Sequence, residues 1–127
     1  MNKNNKPIGV FDSGLGGLTV LKELKKNMPN ESFVYYGDTA HLPYGNKSKE
    51  AIIEYSKRIA KFLYIKKAKA LVVACNSASS VALEILEKTY PIPILNVIDP
   101  SINYAVQSTK AKRVGIIGTE TTINSNT

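Results

Sequence analysis

The sequence predicts an α/β fold, a parallel sheet with helices on both faces, and two observations carry that expectation. Short runs rich in apolar and β-branched residues alternate with stretches whose apolar positions recur at helical spacing. The runs also end at small or acidic polar residues, the end at which open α/β sheets bind ligands. The totals agree: 127 residues with 43% hydrophobic and 21% charged content suit one modest globular domain with a real core.

Pro7-Ile-Gly-Val-Phe-Asp12 reads as the first strand, ending at an acid. Ser13-Gly-Leu-Gly-Gly17 is a turn, and Leu18, Leu21, Leu24 and Met28 then mark one helix face, which Pro29 ends. The glycines approach a dinucleotide fingerprint, but its third glycine would fall at position 19, which is Thr19. No phosphate-loop lysine follows either, so neither a nicotinamide cofactor nor a nucleoside triphosphate is expected. Ser32 to Asp38 is a second strand. Thr39 to Asn46 is a turn-rich loop containing His41, Pro43, Tyr44 and Gly45. It reads equally as a flap offering backbone N–H groups to a ligand or as a connector whose tyrosine packs down. His41 is the only histidine and has no partner histidine or cysteine nearby, so no metal site is expected.

From Ser48 to about Ile65, Ile52, Tyr55, Ile59, Phe62 and Leu63 recur at helical spacing, with Glu54 and Arg58 paired one turn apart. Ala70-Leu-Val-Val-Ala is a third strand, which runs into Cys75-Asn76-Ser77 and a helix marked by Val81, Ala82, Ile85 and Leu86. Pro91-Ile-Pro93 closes that helix. Ile94 to Ile98 is a fourth strand ending at Asp99-Pro100, and a short helix spans Ser101 to about Gln107. Arg113-Val-Gly-Ile-Ile-Gly118 reads as a fifth strand. Only Thr119 to Thr127 follow it, about two helical turns at best, so either this strand lies at an edge or its covering helix is missing.

Cys75 stands at the polar end of its strand and at the start of a helix. There the first free N–H groups and the helix dipole stabilise a thiolate. A lone cysteine is otherwise a small buried hydrophobe, and on the residues alone the two readings stand level. One cysteine forms no internal disulfide, which suits a reducing, cytoplasmic setting. The polar opening Met1 to Lys6 carries no secretory pattern, and no run is long enough for a membrane span. The net charge of +7 raises the question of nucleic acid, but the lysines are scattered. Their densest cluster, Lys66-Lys67-Ala-Lys69, suits the solvated C-terminus of a helix.

Four motifs now stand in order at strand ends: Asp12-Ser13-Gly14, Pro43-Tyr44-Gly45, Cys75-Asn76-Ser77 and Gly118-Thr119-x-x-Thr122. With Val10 to Thr19 and Tyr36-Gly-Asp-Thr-Ala40, this set resembles the glutamate racemase family of the cofactor-independent aspartate/glutamate racemase superfamily. The resemblance runs from Ile8 to Ser125 and implies two similar α/β lobes with the site between them. On that pattern residues 1–98 form the N-terminal part of the first lobe, and 99–127 give a connecting helix and the opening strand of the second.

The resemblance also implies roles. Cys75 would move the α-proton on one face of glutamate. Asp12 would border the site near the thiol, orienting it or accepting its proton, unless it merely caps the following segment. Ser13, Asn76 and Ser77 would contact substrate, Pro43, Tyr44 and Gly45 would cover it, and Thr119 and Thr122 would help hold carboxylates. No cofactor is implied, because inversion at Cα needs only a base on one face and an acid on the other. The second family cysteine, in a Gly-Cys-Thr-His-type motif, has no counterpart among these residues, and Ser77 replaces a common threonine. A truncated, inactive chain is therefore expected, with glutamate as small-molecule partner, a homodimer left open, and D-glutamate for peptidoglycan as the product of the whole enzyme. A racemase for aspartate and a non-catalytic binding domain for an acidic metabolite are the alternatives. A thiolate phosphatase is excluded because its arginine would fall at Val81.

Overall fold

The structure, a computed structural model, describes residues 5–125; positions 1–4 of the polar opening and the last two residues lie outside them. Four strands, β1 (Ile8–Asp12), β2 (Phe33–Gly37), β3 (Ala70–Val73) and β4 (Ile94–Asn96), pair in the order β2-β1-β3-β4. All three pairings are parallel. The connections are helices α1 (Leu18–Asn27), α2 (Lys49–Ile65) and α3 (Asn76–Thr89). Parallel neighbours require such crossovers, and a sheet covered on both faces needs continuous apolar strands, as β1 and β3 have.

Alternation along the strands divides the core in two. Phe11, Leu71 and Val73 point to one face, where Ile52, Ile59 and Leu63 of α2 and Ala78, Ala82 and Leu86 of α3 cover them. Ile8, Val10, Val72 and Ala74 point to the other, against Val20, Leu21 and Leu24 of α1. Each fully buried side chain of this size stabilises the fold by roughly 1.5–3 kcal/mol.

The helix ends follow local chemistry. Ser48 caps α2, its Oγ accepting the Ala51 N–H at 3.2 Å. At the other end Lys67 takes a left-handed conformation (φ 66°), and Ala68 N–H reaches back to Leu63 O. Lys66 and Lys67 are exposed there, the solvated helix end expected of the lysine cluster.

Two expectations need correction. The helix placed at Ser101–Gln107 is α4 (Ile98–Ser108), and it starts earlier because Asn96 Oδ1 accepts the N–H groups of Ile98 and Asp99. Asp99 therefore lies in a helical first turn, where Pro100 also fits; β4 stops at Asn96. The fifth strand read at Arg113–Gly118 does not form, and these residues have no regular structure. A β-branched run becomes a strand only beside a partner, and here Val114, Ile116 and Ile117 are exposed, the last completely. A short helix, α5 (Glu120–Asn124), follows. Neither α4 nor α5 buries a residue fully, and Ile102, Tyr104, Val106 and Ile123 also face solvent.

Candidate active site

The site is built at the carboxyl ends of β1, β2 and β3. Register brings Phe11 of β1 beside Val73 of β3, so Asp12 and the Ala74-Cys75 step emerge next to each other. Cys75 is the N-cap residue of α3 and is buried, and its Sγ accepts the Ala78 N–H at 3.5 Å. An amide dipole aimed at sulfur at a helix N-terminus stabilises charge there.

Asp12, also buried, spends one oxygen on the backbone: Oδ2 accepts Gly14 N–H at 3.0 Å and Gly17 N–H at 3.1 Å. These bonds order the turn and do not cap the helix: the N-cap of α1 is Gly17, without a side-chain cap bond. The turn is tight, since a Cβ at Gly17 would lie 2.7 Å from Asp12 Cβ and 3.0 Å from Ala74 Cβ. Tyr35, on the neighbouring strand, donates its hydroxyl to Gly14 O at 2.9 Å. Burial first, then the charges of Asp12 and Cys75, push that phenol up to about 12. Ser13 follows Asp12, half-buried.

A chain of hydroxyls begins in the helix that Cys75 caps. Ser77, buried in the first turn of α3, is 2.9 Å from Thr119 Oγ1, and Thr119 is 3.0 Å from Thr122 Oγ1. Thr119 is also the N-cap of α5, accepting Thr122 N–H. The turn Tyr44–Asn46 closes against this cluster. A Cβ at Gly45 would stand 2.6 Å from Thr119 Cγ2, and Thr121 Oγ1 donates to Gly45 O at 3.2 Å. Tyr44 is buried with Cys75 in the same core cluster. Asn76 and Pro43 are exposed at the rim.

The structure therefore brings Cys75, Ser77, Tyr44, Gly45, Thr119 and Thr122 to one place, with Asp12 and Ser13 on the adjoining strand end. Of the two readings of loop 39–46, the connector whose tyrosine packs down is the one the structure shows, with Tyr44 buried and Gly45 against Thr119. Asp38 was not singled out as a site residue, yet it is buried and holds Tyr44 and His41. Its place at the end of a strand, matching that of Asp12, was the available signal. Among the described residues no group of three or more His, Cys, Asp or Glu could hold a metal ion. No described helix is long and apolar enough to cross a membrane.

The chain belongs to the Asp/Glu/Hydantoin racemase family, whose pattern covers residues 8–127. Within that family it is similar to glutamate racemases. The Geobacter metallireducens protein is 54% identical over 121 residues, covering 95% of this chain and 45% of the relative. The structure of the Aquifex pyrophilus enzyme superposes with a TM-score of 0.93 at 47% identity, covering 94% of this chain and 48% of the other. The Francisella tularensis glutamate racemase in complex with D-glutamate superposes at 0.88 with 44% identity, covering 97% and 46%. The chain thus spans about half the length of the relatives it matches.

Proposed function

We propose that this chain supplies one half of a site that interconverts L- and D-glutamate without a cofactor, with Cys75 moving the α-proton on one face. The observation behind this reading is the seat of Cys75, a buried thiol that caps a helix beside Asp12 and the Ser77–Thr119–Thr122 hydroxyls. The thiolate takes the α-proton, and the electron pair of the broken C–H bond spreads into the substrate carboxylate. Hydroxyl and amide donors at the strand ends stabilise that charge. A second acid on the opposite face then delivers a proton to Cα.

Asp12 orients the thiol or takes its proton, and Ser13 and Asn76 line the entrance. Pro43, Tyr44 and Gly45 cover the substrate, while Ser77, Thr119 and Thr122 bind its polar groups. Residues 1–98 belong to the first lobe of the whole enzyme and 99–127 to the start of the second, which supplies the opposing cysteine. The D-glutamate complex of the Francisella relative supports the choice of substrate. The whole enzyme works in the cytoplasm, alone or as a homodimer, and its D-glutamate serves peptidoglycan synthesis.

The test uses the only cysteine as reporter. D-glutamate should slow alkylation of Cys75 by iodoacetamide in the 127-residue chain, and aspartate should do so less. Absence of protection at millimolar glutamate would refute the substrate assignment. In deuterated water the chain alone should not invert L-glutamate, and inversion would overturn the two-base scheme.

A further inference from the structure

We propose that Asp38 is a positioning residue of this site, a buried fastener that holds the Tyr44–Gly45 turn over Cys75. The inference builds on the reading of Cys75 as the proton-moving group. Asp38 is 6% exposed and follows β2 directly. Its N–H donates to Asp12 O at 2.9 Å, which ties it to the strand end that carries the first acid. Its side chain bridges two parts of the loop. Tyr44 donates its hydroxyl to Oδ2 at 2.6 Å, and His41 Nδ1 lies 2.8 Å from Oδ1. His41 in turn stacks on Tyr55 of α2, with centroids 4.2 Å apart and planes 19° from parallel.

Each partner of Asp38 therefore has a second anchor. Tyr44 is 1% exposed within the core cluster that includes Cys75, and its ring sits 5.7 Å from that of Tyr55. Burial, followed by the hydrogen bond and charge of Asp38, raises the phenol well above its ordinary range, so it remains a donor through neutral pH. A charge-assisted O–H···O bond of this length is among the stronger side-chain contacts. No part of the proton-transfer scheme uses the Asp38 carboxylate, and its position makes sense as the point from which the turn is held. Gly45, the next residue, then stands against Thr119.

The experiment measures alkylation of Cys75 by iodoacetamide in the full 127-residue chain, without ligand, for Asp38→Ala, Asp38→Asn and Tyr44→Phe. Ala at 38 and Phe at 44 should each speed alkylation about tenfold, the factor that losing one hydrogen bond to a charged group gives a local opening equilibrium. Asn keeps an acceptor for the phenol and should restore most of the protection. Parent-like alkylation in both Asp38→Ala and Tyr44→Phe overturns the proposal. If Asp38→Ala shows no cooperative melting, Tyr44→Phe, which removes one oxygen, decides by the same criterion. Leu71→Ala serves as the control for general destabilisation: equal acceleration at an equal drop in melting temperature would also overturn it. D-glutamate protection of the parent is scored separately, so its absence counts against the substrate assignment while the ligand-free rates still judge Asp38.

Discussion

Replacing Gly45 with alanine should detach α5 from the site while leaving the core intact. No described glycine has a positive φ, so alanine is not strained by the backbone at position 45. The obstacle is Thr119. The new methyl would lie 2.6 Å from its Cγ2 and 2.8 Å from its Cβ. Ordinary carbon contacts need about 3.5–4.0 Å, so the gap is short by roughly 1 Å. Turning χ1 of Thr119 moves Cγ2 away but leaves Cβ in place, so backbone must shift. The turn is held by buried Tyr44 and its bond to Asp38, whereas α5 buries no residue. α5 therefore yields, giving up the Ser77–Thr119 and Thr121–Gly45 hydrogen bonds. Two neutral hydrogen bonds are worth about 1–3 kcal/mol together, which overlaps the usual cost of one added core methyl. Amide exchange and nitrogen–proton correlation spectra would show it: residues 119–125 lose protection and the Ser77 signal moves, with the main thermal transition nearly unchanged. Unmoved Ser77 and α5 signals, or a large fall in the main transition, would refute the reasoning.

Two other outcomes follow from the core and the phenols. Leu71→Ala removes a fully buried side chain between β1, α2 and β4 and should cost about 2–5 kcal/mol in urea unfolding, and a loss below about 1 kcal/mol would contradict the packing described. Tyr35 is raised from 10.0 to about 12, chiefly by burial, so its protonated form is favoured in the folded state. The stability this contributes is complete below pH about 10 and fades as pH rises through about 12. Tyr35→Phe should therefore make the melting temperature fall less over that range, and identical declines in parent and variant would reject the assignment.

The sequence carried most of the sheet because its signals were local. Leu71-Val-Val followed by Cys75-Asn-Ser marks a buried strand running into a helix without help from elsewhere in the chain. Glycines 14, 16 and 17 after Asp12 likewise mark the turn that the Asp12 carboxylate organises. What stayed hidden depends on partners distant in sequence or on side-chain aim. Ser77 meets Thr119 across 42 residues, a contact no spacing rule contains. Asp38, His41 and Tyr44 lie within seven positions, but nothing in their order tells which oxygen faces which donor. Asn96 is the last residue of β4, as its run suggests, and only its side-chain bonds to Ile98 and Asp99 reveal that a helix starts there too. Arg113 to Gly118 has the composition of a strand, and composition does not supply the neighbour a strand requires.

The sheet order has a consequence for how the fold comes apart. β1 and β3, which deliver Asp12 and Cys75, are the two interior strands, each flanked on both sides. Fraying therefore starts at β2, β4 and the exposed α4, and it must consume the flanks before it disturbs the spacing of acid and thiol. Loosening at β4 or α4 therefore lowers the amount of fully folded chain before it moves the acid or the thiol.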